Sequence, residues 1–116
     1  MKRNDQSVIT EEERIQKVWK KAQAVHGYDP KVFRRDICGW WIKFDEYGNN
    51  ESHYGWEIDH IVSLAEGGSE DLSNLQPLNW RNKAFKAERS SWIKSDTQTC
   101  HLIKRLAGSV SLLLLG

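Results

Sequence analysis

The sequence predicts an α+β fold, because a helical pattern near the N-terminus is followed by two short apolar segments and a second helical pattern. The 116 residues suffice for one domain with one modest core. Hydrophobic content of 39% and charged content of 28% are ordinary for a globular domain. Six tryptophans are many for this length, and we expect most of them to pack in or around the core.

Two helices are predicted in the first third of the chain. Thr10 followed by three glutamates forms a capping box, so a helix is expected over residues 11–24. The apolar residues that follow at helical spacing are Ile15, Val18, Trp19, Ala22 and Val25. Asp29 and Pro30, a capping residue followed by proline at the first helical position, predict a second short helix that ends near Asp36.

Two strands and a third helix are predicted in the middle of the chain. Residues 38–44 and 54–62 are apolar and aromatic, and turn residues separate them. After Gly67 and Gly68 the chain is expected to return through residues 72–78. A helix is predicted over residues 79–93. The residues expected to face inward from it are Trp80, Ala84, Ala87 and Ser91.

An arm and a tail are predicted to flank this domain. Residues 1–9 are expected to be a flexible arm, residues 10–105 the domain with its motif core at 54–90, and residues 106–116 a hydrophobic tail. The tail is too short to cross a bilayer as a helix, which takes about 20 residues, so no membrane partner is expected. It is interpreted as a packing strand, as a contact that builds a homodimer or larger assembly, or as a non-native end.

The N-terminal segment and the cysteines predict a cytoplasmic location. Residues 1–21 are polar and charged, and they show no secretory signal. Cys38 and Cys100 are too few for a four-thiolate zinc site. They are expected to be free thiols in a reducing compartment, with a disulfide between them as the alternative.

The charge of the chain is divided into blocks, although the net charge is only +1. Residues 1–44 hold ten basic and six acidic residues, residues 45–80 hold eight acidic and no basic ones, and residues 81–116 hold seven basic and two acidic ones. An acidic block followed by a basic block suits a cation pocket beside a phosphate-binding surface, and it equally suits a solvated surface of mixed sign.

Residues 55–86 hold the side chains with the clearest chemistry. Asp59 and His60 are adjacent at the end of a predicted strand, and Asn74 follows the glycine turn. A carboxylate offers a hard oxygen ligand of the kind that Mg²⁺, Mn²⁺ or Ca²⁺ prefers. A neutral imidazole can take a proton from water near pH 7. Together they predict a site that cleaves phosphodiesters.

Strand alternation sets a condition on this prediction. Glu57 and Asp59 should point to one face of the strand, and Ile58 and His60 to the other. The bend that ends the strand must therefore turn His60 toward Asp59 if the two side chains are to act together.

Several segments of this region form a specific combination. They are Trp56-Glu57-Ile58-Asp59-His60-Ile61, Gly67-Gly68, Asp71-Leu72-Ser73-Asn74-Leu75-Gln76-Pro77-Leu78 and the helix from Trp80, with Asp36-Ile37-Cys38-Gly39, Tyr47-Gly48 and Gly55 upstream. This combination resembles the HNH (ββα-metal) nucleases over residues 28–90. The resemblance implies a ββα-metal core, here joined to the N-terminal amphipathic helix and the second short helix, and metal-dependent hydrolysis of DNA.

The resemblance also implies roles for individual residues. Asp59 corresponds to the first metal ligand, His60 to the general base and Asn74 to the structural asparagine. Glu57, on the face of Asp59, is expected to support the metal ligands. The implied cofactor is one divalent metal, Mg²⁺ in the first place and Mn²⁺ as the alternative.

No structural zinc is expected. Many relatives carry two Cys-x-x-Cys pairs around this motif, and they bind zinc. Here Cys38 is what remains of the first pair, and Asn79 and Asn82 occupy the places of the second.

One position departs from the family pattern. The second metal ligand of the family is a His or Asn three residues before the conserved lysine, which corresponds here to Lys86. That position is Lys83, and a protonated lysine has no lone pair for a metal. Either Asn82 takes the role, or the second ligand is missing and the enzyme is weak or inactive.

The helix after the motif supplies basic residues for a nucleic acid. Those expected to hold the sugar-phosphate backbone are Arg81, Lys83, Lys86 and Arg89. The partner is therefore expected to be DNA, double-stranded in the first place. Three functions are open: an HNH endonuclease, a DNA-binding module of the same fold with weakened catalysis, and an interaction protein that uses its apolar tail.

Overall fold

The computed structural model describes residues 8–88, which form two α-helices and two antiparallel two-stranded sheets. The elements are α1 (Glu11–Trp19), β1 (Phe33–Arg35), β2 (Trp41–Lys43), β3 (Trp56–His60), β4 (Leu75–Asn79) and α2 (Trp80–Glu88), with short 3₁₀ turns at Phe44–Glu46, Leu64–Glu66 and Leu72–Asn74. The predicted α+β class is confirmed. Residues 1–7 of the predicted arm, the helix beyond residue 88 and the tail lie outside the described residues.

Helix α1 begins at its predicted cap and ends five residues before its predicted end. The Glu13 amide donates to Thr10 Oγ1 at 3.0 Å, and the Thr10 amide donates to Glu13 Oε1 at 3.1 Å. Beyond Trp19 the chain leaves the helix, because Gln23 forms a two-way backbone bridge with Arg35 at 2.9 Å in each direction. Sheet pairing satisfies the backbone there in place of further helical turns.

The prediction of a second short helix that ends near Asp36 is wrong. Asp29 does cap a turn, since its carboxylate accepts the Lys31 amide at 2.9 Å. The turn then opens into strand β1, which pairs with β2 in the register Arg34↔Ile42. A local capping signal thus gives one turn, and pairing with the partner strand decides the conformation of the next residues.

The main core lies between α1 and the β3–β4 sheet. Trp56 of β3 is fully buried, and its ring lies 5.3 Å from that of Trp19 and 4.9 Å from that of Tyr47. Val18, Ile42 and Leu75 complete the buried centre. In the β3–β4 register Asp59 pairs with Gln76, and His60 pairs with Leu75, so the end of β3 lies beside the start of β4.

Helix α2 follows β4 directly and covers a smaller apolar cluster. Asn79 Oδ1 accepts the Arg81 amide at 3.0 Å and caps the helix start. The inward face of α2 was predicted wrongly at Ala84 and Ala87, which are exposed, whereas Asn82 is buried and Phe85 packs on Leu78 and Cys38. Packing beneath the helix selected a face that is shifted from the predicted one.

Two further expectations bear on the described residues. Cys38 is disulfide-bonded, so the expectation of a free thiol is wrong at this residue, and Cys100 lies outside the described residues. Neither described helix is long and apolar enough to cross a membrane.

Candidate active site

Asp59 lies near the end of β3 and is almost fully buried. Its Oδ2 accepts a hydrogen bond from Gln76 Nε2 at 2.9 Å and one from Lys86 Nζ at 2.7 Å. The same ammonium group donates to the carbonyl oxygens of His60 at 2.8 Å and Ile61 at 3.3 Å. Lys86 therefore fastens α2 to the end of β3 and neutralises the Asp59 carboxylate.

The His60 ring is positioned by a residue of the following loop. Its Nε2 lies 3.0 Å from Glu70 Oε1, and Arg14 NH2 lies 3.3 Å from the same oxygen. The hydrogen bond from His60 is the main reason that the pKa of Glu70 is lowered, and the charges of His60 and Arg14 add to it. A neutral imidazole that donates from Nε2 keeps its basic lone pair on Nδ1.

Asn74 joins the two ends of the loop that follows β3. Its Oδ1 accepts the Val62 amide at 2.9 Å, and its Nδ2 donates to Val62 O at 2.9 Å and to Ser69 O at 2.8 Å. The loop passes so close at Gly68 that a Cβ there would lie 1.8 Å from Val62 O and 2.9 Å from Asn74 Nδ2. Glycine is required at this position for steric reasons.

A second lysine of α2 contacts the same strand. Lys83 Nζ lies 3.2 Å from Glu57 Oε1, and both side chains are about one-third exposed. Lys83 and Lys86 are three residues apart on the helix, and Glu57 and Asp59 are two apart on β3. Both spacings place the two residues on one face of their element. Two neighbouring ion pairs, Lys83–Glu57 and Lys86–Asp59, therefore join α2 to β3.

These side chains surround an open cavity of about 440 Å³. Asp59 and His60 line it from β3, Lys83 and Lys86 line it from α2, and the loop of residues 63–66 forms another wall. Strand alternation is retained in the contacts of the two side chains. The His60 ring is bonded to Glu70, which Arg14 of α1 also contacts, whereas Asp59 is bonded to Lys86 of α2. The residues Asp59 and His60 both line the open cavity with the two lysines.

The structure does not bring Asn82 into this cavity. Asn82 is buried beneath α2, where its Nδ2 donates to Asp36 Oδ2 at 2.9 Å. Asp36 also accepts the amides of Cys38 and Trp40 on Oδ1 and that of Asn79 on Oδ2, at 2.9–3.0 Å. We refer to Asp36, Asn79 and Asn82 as the Asp36 cluster.

Two residues of the Asp36 cluster, Asn79 and Asn82, occupy the positions where many HNH relatives are expected to carry a second cysteine pair. Burial raises the pKa of Asp36, and its four hydrogen-bond donors oppose that shift. Asn79 Nδ2 extends the network to the carbonyl oxygens of Trp41 and His53. The cluster thus joins β2, β4 and α2 through amide and carboxylate groups.

The remaining predicted DNA contacts lie elsewhere or outside the described residues. Arg81 points away from the cavity, where its NH2 donates to His53 O at 3.0 Å and its guanidinium lies over the rings of Trp40 and Trp80. Arg89 lies outside the described residues. Lys83 and Lys86 are the two predicted contacts that the structure brings to the cavity.

Sequence reasoning missed three residues of this region. Gln76 could have been found from the strand register, since it pairs with Asp59 across the sheet. Asp36 stands in a quoted motif, but no signal marked it as a buried acceptor. Glu70 carries no signal, because only the path of the loop brings it to His60.

The side chains at the cavity do not fit a resident divalent metal. Asp59 Oδ2 is bonded to an ammonium group and an amide. The second predicted ligand, Asn82, is held by Asp36 through Nδ2, and its unpartnered Oδ1 is buried in a residue that does not line the cavity. Within residues 8–88 no group of three His, Cys, Asp or Glu side chains is arranged to hold a metal ion.

Comparison with known families supports the resemblance that the motifs predict. Residues 37–81 match the family model described as HNH endonuclease. The matched segment contains Asp59, His60 and Asn74, and it runs from before β2 to the start of α2. The predicted HNH resemblance is confirmed by this match, which points to a nuclease or DNA-binding function with DNA as substrate or partner. A search of curated proteins and a search of solved structures found no match.

Proposed function

We propose that this protein is an HNH-type endonuclease that hydrolyses phosphodiester bonds of double-stranded DNA, with His60 as the general base. One observation carries the proposal: His60, whose ring Glu70 holds at 3.0 Å, lines the same cavity as Lys83 and Lys86. A general base and two cationic residues therefore adjoin one cavity at the end of the segment that matches the HNH model.

His60 is suited to activate water. Its Nε2 is engaged by the Glu70 carboxylate, so Nδ1 is the nitrogen left to take a proton from an attacking water molecule. The Glu70 carboxylate also stabilises the imidazolium that forms when the proton is taken. Arg14 holds Glu70 from its other side and limits its movement.

Asn74 acts by positioning in this proposal. Its side-chain amide bonds both ends of the loop that carries Glu70 toward His60. A small misplacement of a catalytic base costs a large part of its rate. Asn74 therefore supports catalysis without contact with the DNA.

The lysines supply charge for the phosphate group. The cavity holds the partly exposed Lys83 and the more buried Lys86, whose side chain is 12% exposed. Ammonium groups next to a phosphodiester stabilise negative charge as the P–O bond breaks. HNH domains typically use a divalent metal, but the side chains described at this cavity do not fit one.

A second candidate is a DNA-binding module of the same fold with weakened catalysis. Lys83 at the position of a metal ligand, and Lys86 bonded to Asp59, favour it. It predicts salt-sensitive DNA binding without cleavage.

A plasmid-nicking assay separates the two candidates. Wild type and His60→Ala are compared in Mg²⁺, in Mn²⁺ and in EDTA, with the exposed His26 replaced in a matched His26→Ala control. Loss of a general base should slow nicking by about 100-fold or more, and the control should cut like wild type. A folded wild-type protein that leaves the plasmid intact in all three conditions would overturn the nuclease proposal. Retained DNA binding in that case would support the second candidate.

A further inference from the structure

We propose that Lys83 binds a phosphate group of DNA at this cavity and that Lys86 neutralises Asp59, so that the two ammonium groups take the place of a resident divalent cation. The inference rests on the proposed function in one respect, because it takes the cavity lined by His60 as the DNA site. It departs from the metal-dependent mechanism that the family resemblance implies.

The first observation is that the cation expected beside Asp59 is already provided by the protein. Lys86 Nζ lies 2.7 Å from Asp59 Oδ2, and the two side chains are 12% and 7% exposed. The ammonium group also bonds two backbone carbonyl oxygens, so all three of its donors have partners. A divalent ion at Asp59 would share the carboxylate with the Lys86 ammonium group, whose positive charge repels it.

The second observation is that the other candidate ligands are engaged elsewhere. Glu57 is paired with Lys83 and His60 with Glu70. Asn82 is held by Asp36 through Nδ2, and although its Oδ1 has no hydrogen-bond partner, the residue is buried and does not line the cavity. Mg²⁺ requires a near-octahedral set of oxygen ligands, with one or two carboxylates among them. Asp59 and Glu66 are the acidic residues that line the cavity, and the two lysines beside them make it a poor start for such a set.

The third observation concerns which lysine is free to move. The Lys83–Glu57 pair is about one-third exposed, and such exposed pairs contribute about 0–1 kcal/mol. Lys83 can therefore exchange Glu57 for a phosphate oxygen at small cost. Lys86 is held by three acceptors and keeps its place, so Lys83 is the lysine that can contact a phosphate.

The helix spacing places the two lysines side by side. Residues three apart on a helix are neighbours on its surface, and Lys83 and Lys86 line the same cavity as His60. A phosphate group bound by Lys83 would therefore lie in the cavity that His60 lines, near the positive charge of Lys86.

The first experiment measures metal binding without DNA. Free Mn²⁺ is titrated by electron paramagnetic resonance into wild type, Lys83→Asn and the matched surface variant Lys17→Asn. Lys17 is exposed on α1, away from the cavity. Wild type and Lys17→Asn should show no saturable binding at millimolar Mn²⁺, and Lys83→Asn, which gains an amide oxygen and loses a positive charge, should bind at least about tenfold more tightly. Saturable micromolar binding to wild type would overturn the inference.

The second experiment measures DNA binding in EDTA by fluorescence anisotropy over a range of salt concentrations. If Lys83 contacts a phosphate, Lys83→Asn lowers the salt slope by about 0.9, and Lys17→Asn leaves it unchanged. An unchanged slope in Lys83→Asn would overturn the inference.

The two experiments distinguish a failure of the lysine inference from a failure of the endonuclease proposal. If wild type binds DNA through Lys83 in EDTA but never cleaves it, the endonuclease proposal fails and the lysine inference stands. If wild type binds Mn²⁺ tightly and cleaves only with it, the endonuclease proposal stands and the lysine inference fails.

Discussion

Asp36 and Asp59 are both buried carboxylates beneath α2, but their surroundings differ. Asp36 accepts four hydrogen bonds from uncharged N–H groups. Asp59 accepts one bond from the Gln76 amide and one from the Lys86 ammonium group, beside an open cavity. The comparison indicates that the same residue type serves as a fixed structural acceptor when amides enclose it, and adjoins the candidate site when a cation and an open cavity lie beside it.

The largest expected effect is on the free energy of unfolding and concerns the enclosed carboxylate, Asp36. Asp36→Asn replaces an acceptor oxygen by an NH₂ group that faces N–H donors, so we expect the free energy of unfolding to fall by about 3 kcal/mol. Urea denaturation followed by tryptophan fluorescence measures it. Asp45→Asn, at an exposed position, is the matched control and should change stability by less than about 0.5 kcal/mol. Equal stability of the two variants would show that the Asp36 cluster is not a structural anchor.

The second prediction concerns the buried ion pair at the cavity. Lys86→Met leaves the Asp59 carboxylate buried without its cation, and we expect a loss of about 2 kcal/mol in the free energy of unfolding. Lys83→Met, on the same helix but in a partly exposed pair, should cost less than about 0.5 kcal/mol. The double variant Asp59→Asn with Lys86→Met should recover part of the loss. The absence of such recovery would show that Lys86 stabilises the fold through its carbonyl contacts alone.

A smaller effect on stability is expected at the loop after β3. Asn74→Ala removes three side-chain hydrogen bonds, and we expect a loss of about 1–2 kcal/mol. Because this loop carries Glu70 to His60, DNA nicking should fall by more than the unfolded fraction explains. The exposed neighbour provides the control Ser73→Ala, which should leave nicking and stability unchanged. A parallel fall of nicking and folded fraction would limit Asn74 to a role in stability.

The smallest expected effect is a pH dependence at Glu70. The pKa of Glu70 is lowered below its ordinary 4.5, first by the hydrogen bond from His60. A carboxyl group with a lowered folded pKa stabilises the fold above its unfolded pKa, and this contribution fades as the pH falls through the folded value. The thermal midpoint of wild type should thus decline slightly more below pH 4.5 than that of Glu70→Gln. Coincident profiles from pH 6 to pH 3 would contradict this.

The motifs alone predicted the family resemblance of residues 37–81. The adjacent Asp59 and His60, the glycine turn and Asn74 predicted the resemblance, which the family match at residues 37–81 confirmed. The capping box at Thr10 predicted the start of α1 correctly. These features depend on neighbours within a few residues, and a sequence displays such neighbours directly.

The tertiary structure decided which partners those residues have. Pairing between β1 and β2 overrode the helix signal at Asp29, and packing under α2 turned Asn82 to Asp36 and Lys86 to Asp59. Hydrogen bonds and ion pairs between residues 26 to 46 positions apart depend on how sheet and helix meet, which no local pattern contains. The sequence thus determined which groups the protein has for its chemistry. The fold determined that the Lys86 ammonium group and the Gln76 amide, and not a second oxygen ligand, contact the Asp59 carboxylate.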